Sequence, residues 1–381
     1  MSAVIKLLSD LVAIPSVNPI DTGEIDGLFG EARMVDHLEA FCAAHRLDCA
    51  RQECLPGRDN LLIHLEGRQP GPGLLLEAHT DTVAVANMRI EPFRPEIRDG
   101  KLYGRGACDC KASLAAMLVA FCQVKDRGIP PYAVTLLCAA DEEHSFCGVR
   151  AALAAGLPAR AAMVGEPTSL NVIIAHKGAL RLKLIARGTA AHTSEPDCGE
   201  NAIYAMAETI AAIQEYAHTL AQRLAHPLLG GPTACISIIH GGSAINIVPD
   251  RCEAHLDRRL LPAEDWHQVE AEIADFIATR VATPIERELI IADPGMEVAP
   301  DAPITLRAVA AAEAALGHAT IRGAKYGTDA SKLVEAGIPS VVCGPGDIAQ
   351  AHTDNEWVDL QQVEGSVRLY EQFIASETPL A

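Results

Sequence analysis

The sequence has no run of lysine and arginine: 31 basic residues face 50 acidic ones, for a formal net charge of -19. A surface of that sign is repelled by phosphate, which excludes nucleic acid and anionic membranes as expected partners. No apolar stretch approaches the roughly 20 residues that a membrane-crossing helix needs. No repeat or low-complexity tract is present beyond alanine-rich helical segments. A Lys/Arg-led apolar leader with a small-residue cleavage site is also missing, so the 12 cysteines read as reduced thiols of a soluble, cytoplasmic protein and not as a disulfide scaffold.

What is present is enough apolar material, 49% of 381 residues, for a large core and two domains. Apolar residues recur at helical spacing over Ala3–Ala13 and Gly30–Arg46, with Pro15 and Pro19 between them. Asn60–Leu65, Gly73–Ala78, Ala133–Ala140 and Ala161–Val164 are short, continuously apolar runs and predict buried strands. Helices are predicted between them over Lys111–Asp126, closed by Gly128 and Pro130, and over Cys147–Ala155. The interleaving predicts an α/β fold with a largely parallel sheet flanked by helices.

From Lys177 the pattern changes. Strand Ala179–Ala186, helix Asn201–Tyr216, strands Ala234–Ile239 and Cys252–Leu260, helix Trp266–Thr279 and strand Arg287–Ile291 give strand-helix-strand twice, an α+β sandwich unit. After Pro294 the first pattern resumes with helices Pro303–Leu316 and Asp329–Ala336, strand Ser340–Cys343 and a last helix. The expectation is therefore a catalytic domain over residues 1–176 and 294–381, with a second domain, 177–293, inserted into it.

The chemistry-bearing residues fall just past the strands. His79-Thr80-Asp81 closes the run Leu74–Ala78, and strand periodicity points His79 and Asp81 the same way, as a ligand and its orienting partner. By itself His-x-Asp means little, because His255-Leu256-Asp257 and His352-Thr353-Asp354 repeat it. Its company gives it weight: Asp109 precedes the Lys111 helix, Asp141-Glu142-Glu143 ends the next strand and Gly165-Glu166-Pro167 the one after. In an open α/β sheet, ligands gather outside the carboxyl ends of the strands, so these residues can converge there.

Consecutive Glu142 and Glu143 face opposite ways in extended chain, which suggests one metal ligand and one free base. The glycine-rich turn from Cys343 delivers His352 from the far end of the chain. Two histidines and three carboxylates suit zinc or cobalt better than magnesium, and a pair of ions needs one bridging carboxylate. Cys108 and Cys110 flank Asp109, but Cys-x-Cys without a second cysteine pair lacks the structural zinc pattern, so both are expected to be small buried residues.

Together these segments resemble the M20 family of zinc peptidases and deacylases over nearly the whole chain. The resemblance rests on Leu74-Leu-Leu-Glu-Ala-His-Thr-Asp-Thr-Val83, Asp99-Gly-Lys-Leu-Tyr-Gly-Arg-Gly106, Asp141-Glu-Glu143, Gly165-Glu-Pro-Thr-Ser-Leu170, Ala175-His-Lys-Gly178 and Gly344-Pro-Gly346 through His352. It implies two zinc ions, with cobalt able to substitute: Asp109 bridges them, His79 and Glu166 complete one site, and Glu143 and His352 complete the other. It further implies that Asp81 braces His79 and that Glu142 is the general base. The inserted domain resembles the family's ferredoxin-like lid and dimerisation domain, which implies a homodimer. Within it, His192 matches a histidine that reaches the partner subunit's site to stabilise the oxyanion, and Asn246 and Arg259 match substrate-binding positions, with Arg258 as the alternative to Arg259.

The implied reaction is hydrolysis of the amide of a small N-acyl amino acid, in which Glu142 takes a proton from water and returns it to the leaving amine. A guanidinium at Arg259 would present paired donors to the substrate carboxylate. The loop Tyr326-Gly-Thr-Asp-Ala330, which brings Thr328 as a further substrate-binding candidate, looks like the deacetylase branch of the family and lacks the arginine of its desuccinylase branch. N-acetyl-L-ornithine is accordingly the first expected substrate. N-succinyl-diaminopimelate, other acylamino acids or dipeptides, and a catalytically silent metal-binding protein are the alternatives. The chain departs from the family at Ala84, Cys110 and Ala112, none of which is an implied ligand.

Overall fold

The computed structural model describes residues 1–20 and 27–380. Two compact units emerge: residues 1–174, 298–322 and 328–381 form the first, and residues 175–297 with 323–327 the second.

The sheet of the first unit runs in the order Asp48–Leu55, Arg58–Leu65, Val134–Ala139, Gly73–His79, Ala159–Val164, Ser340–Val342 and Val172–His176, where the chain leaves for the second unit. The four strands from Val134–Ala139 to Ser340–Val342 are mutually parallel, while Arg58–Leu65 and Val172–His176 pair antiparallel at either side. The sheet is thus mixed, with the parallel part at its centre. Every residue of Gly73–His79 and Val134–Ala139 is buried, as strands covered by helices on both faces require. The antiparallel Asp48–Leu55 strand was not expected from the sequence. No residue of it is fully buried, so its side chains carry no apolar pattern to read.

Helix Lys111–Arg127 is buried along most of its length, and helix Leu360–Ala375 starts on Asp359, whose carboxylate accepts from the N–H groups of Gln361 and Gln362. The end of that last helix is held by the fully buried Arg307, whose guanidinium donates to the carbonyls of Phe373, Ile374, Ser376 and Thr378. A small sheet of Glu96–Arg98, Lys101–Tyr103 and Trp357–Asp359 was likewise not anticipated, its strands being three residues each.

The second unit is a four-stranded antiparallel sheet in the order Thr233–Gly241, Arg251–Leu260, Gly178–Arg187, Ile285–Asp293. Helices Ala202–Leu220 and Trp266–Ala278 interleave with these strands along the chain. Alternation decides which face is covered: Leu180, Leu182 and Leu184 join Tyr216, Leu256 and Ile273 in one core, whereas Arg181 is exposed. Asn201 and Asp265 cap the two helices, each accepting two N–H groups. Among the described residues, no helix is long and apolar enough to cross a membrane.

Candidate metal centre and active site

Parallel pairing brings the strand ends to one edge. His79 lies opposite Ala139, so the next strand runs on directly into Asp141, and Glu77 lies opposite Val164, just before Gly165-Glu166. Val342 pairs with Val164, which puts the Cys343-Gly-Pro-Gly turn beside them. That turn needs its glycines: a Cβ on Gly344 would come within 2.6 Å of the Glu166 carbonyl oxygen, and Gly346 has a φ of +91°.

His79, Asp109, Glu143, Glu166 and His352 meet here, all from the first unit. His79 Nδ1 lies 2.9 Å from the Asp81 carbonyl oxygen, a contact in which it donates, so Nε2 is the nitrogen turned to the site. Nε2 is 3.0 Å from Asp109 Oδ1 and 3.9 Å from Glu166 Oε1. The other oxygen of Asp109, Oδ2, is 3.1 Å from His352 Nε2, which also lies 3.2 Å from Glu143. Asp109 therefore turns one oxygen toward each of two imidazoles, and the same Nε2 of each imidazole also faces a glutamate. That is the donor pattern of a carboxylate shared between two cations.

Charge supports the fit. His352 is held protonated up to about 10 by its hydrogen bonds to Asp109 and Glu143, against the opposing effect of burial. Burial pushes the carboxyls of Glu166 and Glu143 up, and the negative charge of Asp109 adds to it. A buried group of carboxylates that cannot all stay ionised, completed by imidazolium, is a site lacking positive charge. Divalent ions satisfy that demand, and imidazole with carboxylate oxygen is a suitable donor set for them.

Glu142 and Glu143 differ as a pair. Glu143 faces His352, whereas the Glu142 carboxylate makes no hydrogen bond to any described residue. Burial pushes it well above the usual carboxylate range, with His79 opposing and Glu166 and Glu143 adding to the rise.

Asp81 lies against His79 and has further partners besides. Its carboxylate is 3.4 Å from His79 Nδ1, while the backbone carbonyl makes the closer contact. The carboxylate also accepts from the N–H groups of Glu142 and Glu143, both at 3.1 Å, and from Asn18 at 2.7 Å. Asp81 thus ties His79 to the two-glutamate turn.

Two buried networks that sequence reasoning missed hold the loops. Arg58 pairs with Glu31 through two nitrogens and with Asp141 at 2.7 Å, and Glu31 accepts the Asp141 N–H at 3.1 Å. Glu356 accepts from Arg105 at 2.6 Å and from the N–H groups of Gly106, Cys108 and Asp109 at 2.8–3.0 Å. Arg105 also donates to the Thr353 carbonyl, so one ion pair joins the Asp109 loop to the His352 turn. Arg105 stood inside the Gly104-Arg-Gly106 motif, the one signal that pointed to it.

Four further candidates are divided between the two units. Thr328 is buried in the first unit, two residues before the Ala330–Glu335 helix, and its hydroxyl accepts from Ala330 N–H at 3.2 Å. His192, Asn246 and Arg259 are in the second unit. His192 and Asn246 are exposed. His192 Nδ1 accepts the Ser194 N–H at 3.1 Å, which leaves Nε2 to carry the proton in the neutral ring. Arg258 is fully buried and paired with Glu264, whereas Arg259 is half-buried and donates from Nε to Asp257 at 2.8 Å. The two arginines left open by the sequence thus differ in exposure, Arg258 being buried and Arg259 half-buried.

Residues 75–376 match the profile of peptidase family M20/M25/M40. The chain is 34% identical over 385 residues to an acetylornithine deacetylase of Photorhabdus laumondii, covering 97% of this chain and 96% of that one. Among solved structures, an M20 family metallo-carboxypeptidase from Sulfolobus solfataricus superposes with a TM-score of 0.82 at 18% identity, over 98% of this chain and 99% of that one. A dinuclear metal binding M20 peptidase from Bacillus subtilis superposes with a TM-score of 0.72 at 16% identity, over 98% and 96% of the two chains.

Proposed function

The chain belongs to peptidase family M20/M25/M40, and from that premise we propose that it is a deacetylase that hydrolyses N-acetyl-L-ornithine to L-ornithine and acetate, a reaction of arginine biosynthesis. The observation that carries this reading is the Asp109 carboxylate set between His79 and His352, with the unengaged Glu142 beside them. The substrate name rests on acetylornithine deacetylases that are 33–34% identical over 97% of this chain.

His79, Glu166 and Asp109 are assigned to one ion and Asp109, Glu143 and His352 to a second, with zinc as the native metal and cobalt as a substitute. Such ions, when bound, polarise the scissile carbonyl and make a water acidic enough to lose a proton near neutral pH. Glu142 takes that proton and returns it to the leaving amine. Asp81 keeps Glu142 and Glu143 in register by holding both N–H groups. His192 donates from Nε2 to the oxyanion formed in the partner subunit's site, and Arg259 with Asn246 receives the substrate's carboxylate end.

A homodimer fits the surface of the second unit, where Ile203, Tyr204, Ile238, Ile239, Ile245 and Ile247 are all exposed and the strand Thr233–Gly241 is a sheet edge. The unpaired state of the cysteines accords with a reducing cytoplasm.

The test is a substrate panel on one preparation, loaded with zinc or with cobalt: N-acetyl-L-ornithine, N-succinyl-LL-diaminopimelate, other acetylamino acids and di- and tripeptides. The proposal expects N-acetyl-L-ornithine to show the highest kcat/KM. A higher value for the succinyl substrate or a peptide would move the enzyme to another branch of the family.

A further inference from the structure

The two cysteines beside Asp109 are both buried, yet they face different surroundings. Cys108 Sγ lies 3.4 Å from the Asp347 carbonyl and packs against the Gly346 turn, where a Cβ would come within 2.6 Å of the sulfur. Cys110 turns the other way. Its S–H donates weakly to the His79 carbonyl at 3.5 Å, and its sulfur, a ring nitrogen of His79 and a carboxylate oxygen of Glu166 all lie within 4.8 Å of one another. All three residues are buried.

A second observation points the same way. Glu166 is 5% exposed, and its carboxylate makes no hydrogen bond to any described residue; its nearest cationic partner is His79 Nε2 at 3.9 Å. A buried carboxylate left without donors is costly unless a cation answers it. The unanswered oxygen atoms and the sulfur border the same space.

We propose that Cys110 Sγ is a metal ligand, completing with His79, Glu166 and Asp109 a set of four protein donors for the ion on the His79 side. This rests on the reading of the site as dinuclear. On coordination the S–H bond breaks, its proton passes to solvent and the thiolate electron pair binds the ion, with no change of oxidation state. A thiolate would add a softer donor on the His79 side, whereas Glu143 and His352 with the shared Asp109 would hold the other ion through oxygen and nitrogen alone. The sulfur also biases its site toward zinc, cobalt or cadmium and against magnesium or manganese. The two ions then have unequal donors and unequal affinities.

The test is optical and needs no substrate. Metal-free protein is titrated with cobalt, and binding is counted by elemental analysis after gel filtration. A thiolate-to-cobalt charge-transfer band in the near ultraviolet is expected for the wild type and for Cys108→Ser, and is lost in Cys110→Ser and Cys110→Ala. In competition with a chelator, both Cys110 variants should hold the tighter ion about tenfold or more less firmly. Cadmium NMR of the unmutated protein, which needs no variant to fold, should show one resonance in the sulfur-ligated range. Two bound cobalt ions with no such band, a band that survives in Cys110→Ser, or cadmium resonances confined to the oxygen and nitrogen range would each overturn the proposal and leave the dinuclear site standing. A wild type that binds fewer than two ions overturns the dinuclear reading itself, and this proposal with it.

Discussion

The candidate residues of the two units are built to opposite standards. In the first unit, His79, Asp109 and Glu166 are each no more than 7% exposed, with His352 the exposed exception, and their loops are held by Arg58, Asn18, Asp81, Arg105 and Glu356. In the second, His192 and Asn246 are exposed, and the guanidinium of Arg259 has a single hydrogen bond, to Asp257. Burial with many partners fixes geometry, which bond-breaking chemistry requires. Exposure with few partners leaves side chains free to meet a ligand. The contrast implies that changes at the buried residues of the first unit act on turnover or folding, and a change at Arg259 in the second on substrate affinity.

The largest effect that would break this contrast is expected at Asp109. Asp109→Asn removes the charge shared by the two histidines, and activity should fall by about a thousandfold or more as metal is lost. Elemental analysis together with steady-state kinetics reads both. Unchanged metal content would mean that Asp109 is not shared. Next comes Arg58→Met, which leaves Glu31 and Asp141 buried without their cation and should cost about 3–5 kcal/mol, seen as a lower denaturation midpoint. A midpoint equal to wild type would show that the network does not hold the loop. Arg259→Ala should raise KM roughly tenfold with kcat nearly unchanged, the signature of lost binding shared by ground and transition states. A fall in kcat alone would put Arg259 with the chemistry. Smallest is Asn201→Ala, which removes the cap of the Ala202–Leu220 helix and should lower stability by about 1 kcal/mol without altering either constant.

Much of the first unit is legible in the sequence because burial on both faces leaves a continuous apolar run, as at Leu74-Leu75-Leu76, and because parallel strands end at one edge where His79, Asp141 and Glu166 follow. Antiparallel flanks such as Asp48–Leu55 are not legible, since a strand with no buried residue carries no such run. Nor are the supporting networks. Glu356 and Arg105 are 251 positions apart and Arg58 and Asp141 are 83 apart, and a charged residue reads as surface until its partner is known. Asp81 shows a finer limit: periodicity placed it beside His79, but only the folded turn reveals that its carboxylate serves the N–H groups of Glu142 and Glu143.

The central claim is that Glu142 moves the proton while its neighbour Glu143 helps hold the metal. Glu142→Ala, assayed on N-acetyl-L-ornithine alongside a count of bound metal, tests that division directly. The account predicts full metal content with kcat reduced at least about a hundredfold; wild-type turnover, or loss of metal in this variant, would contradict it.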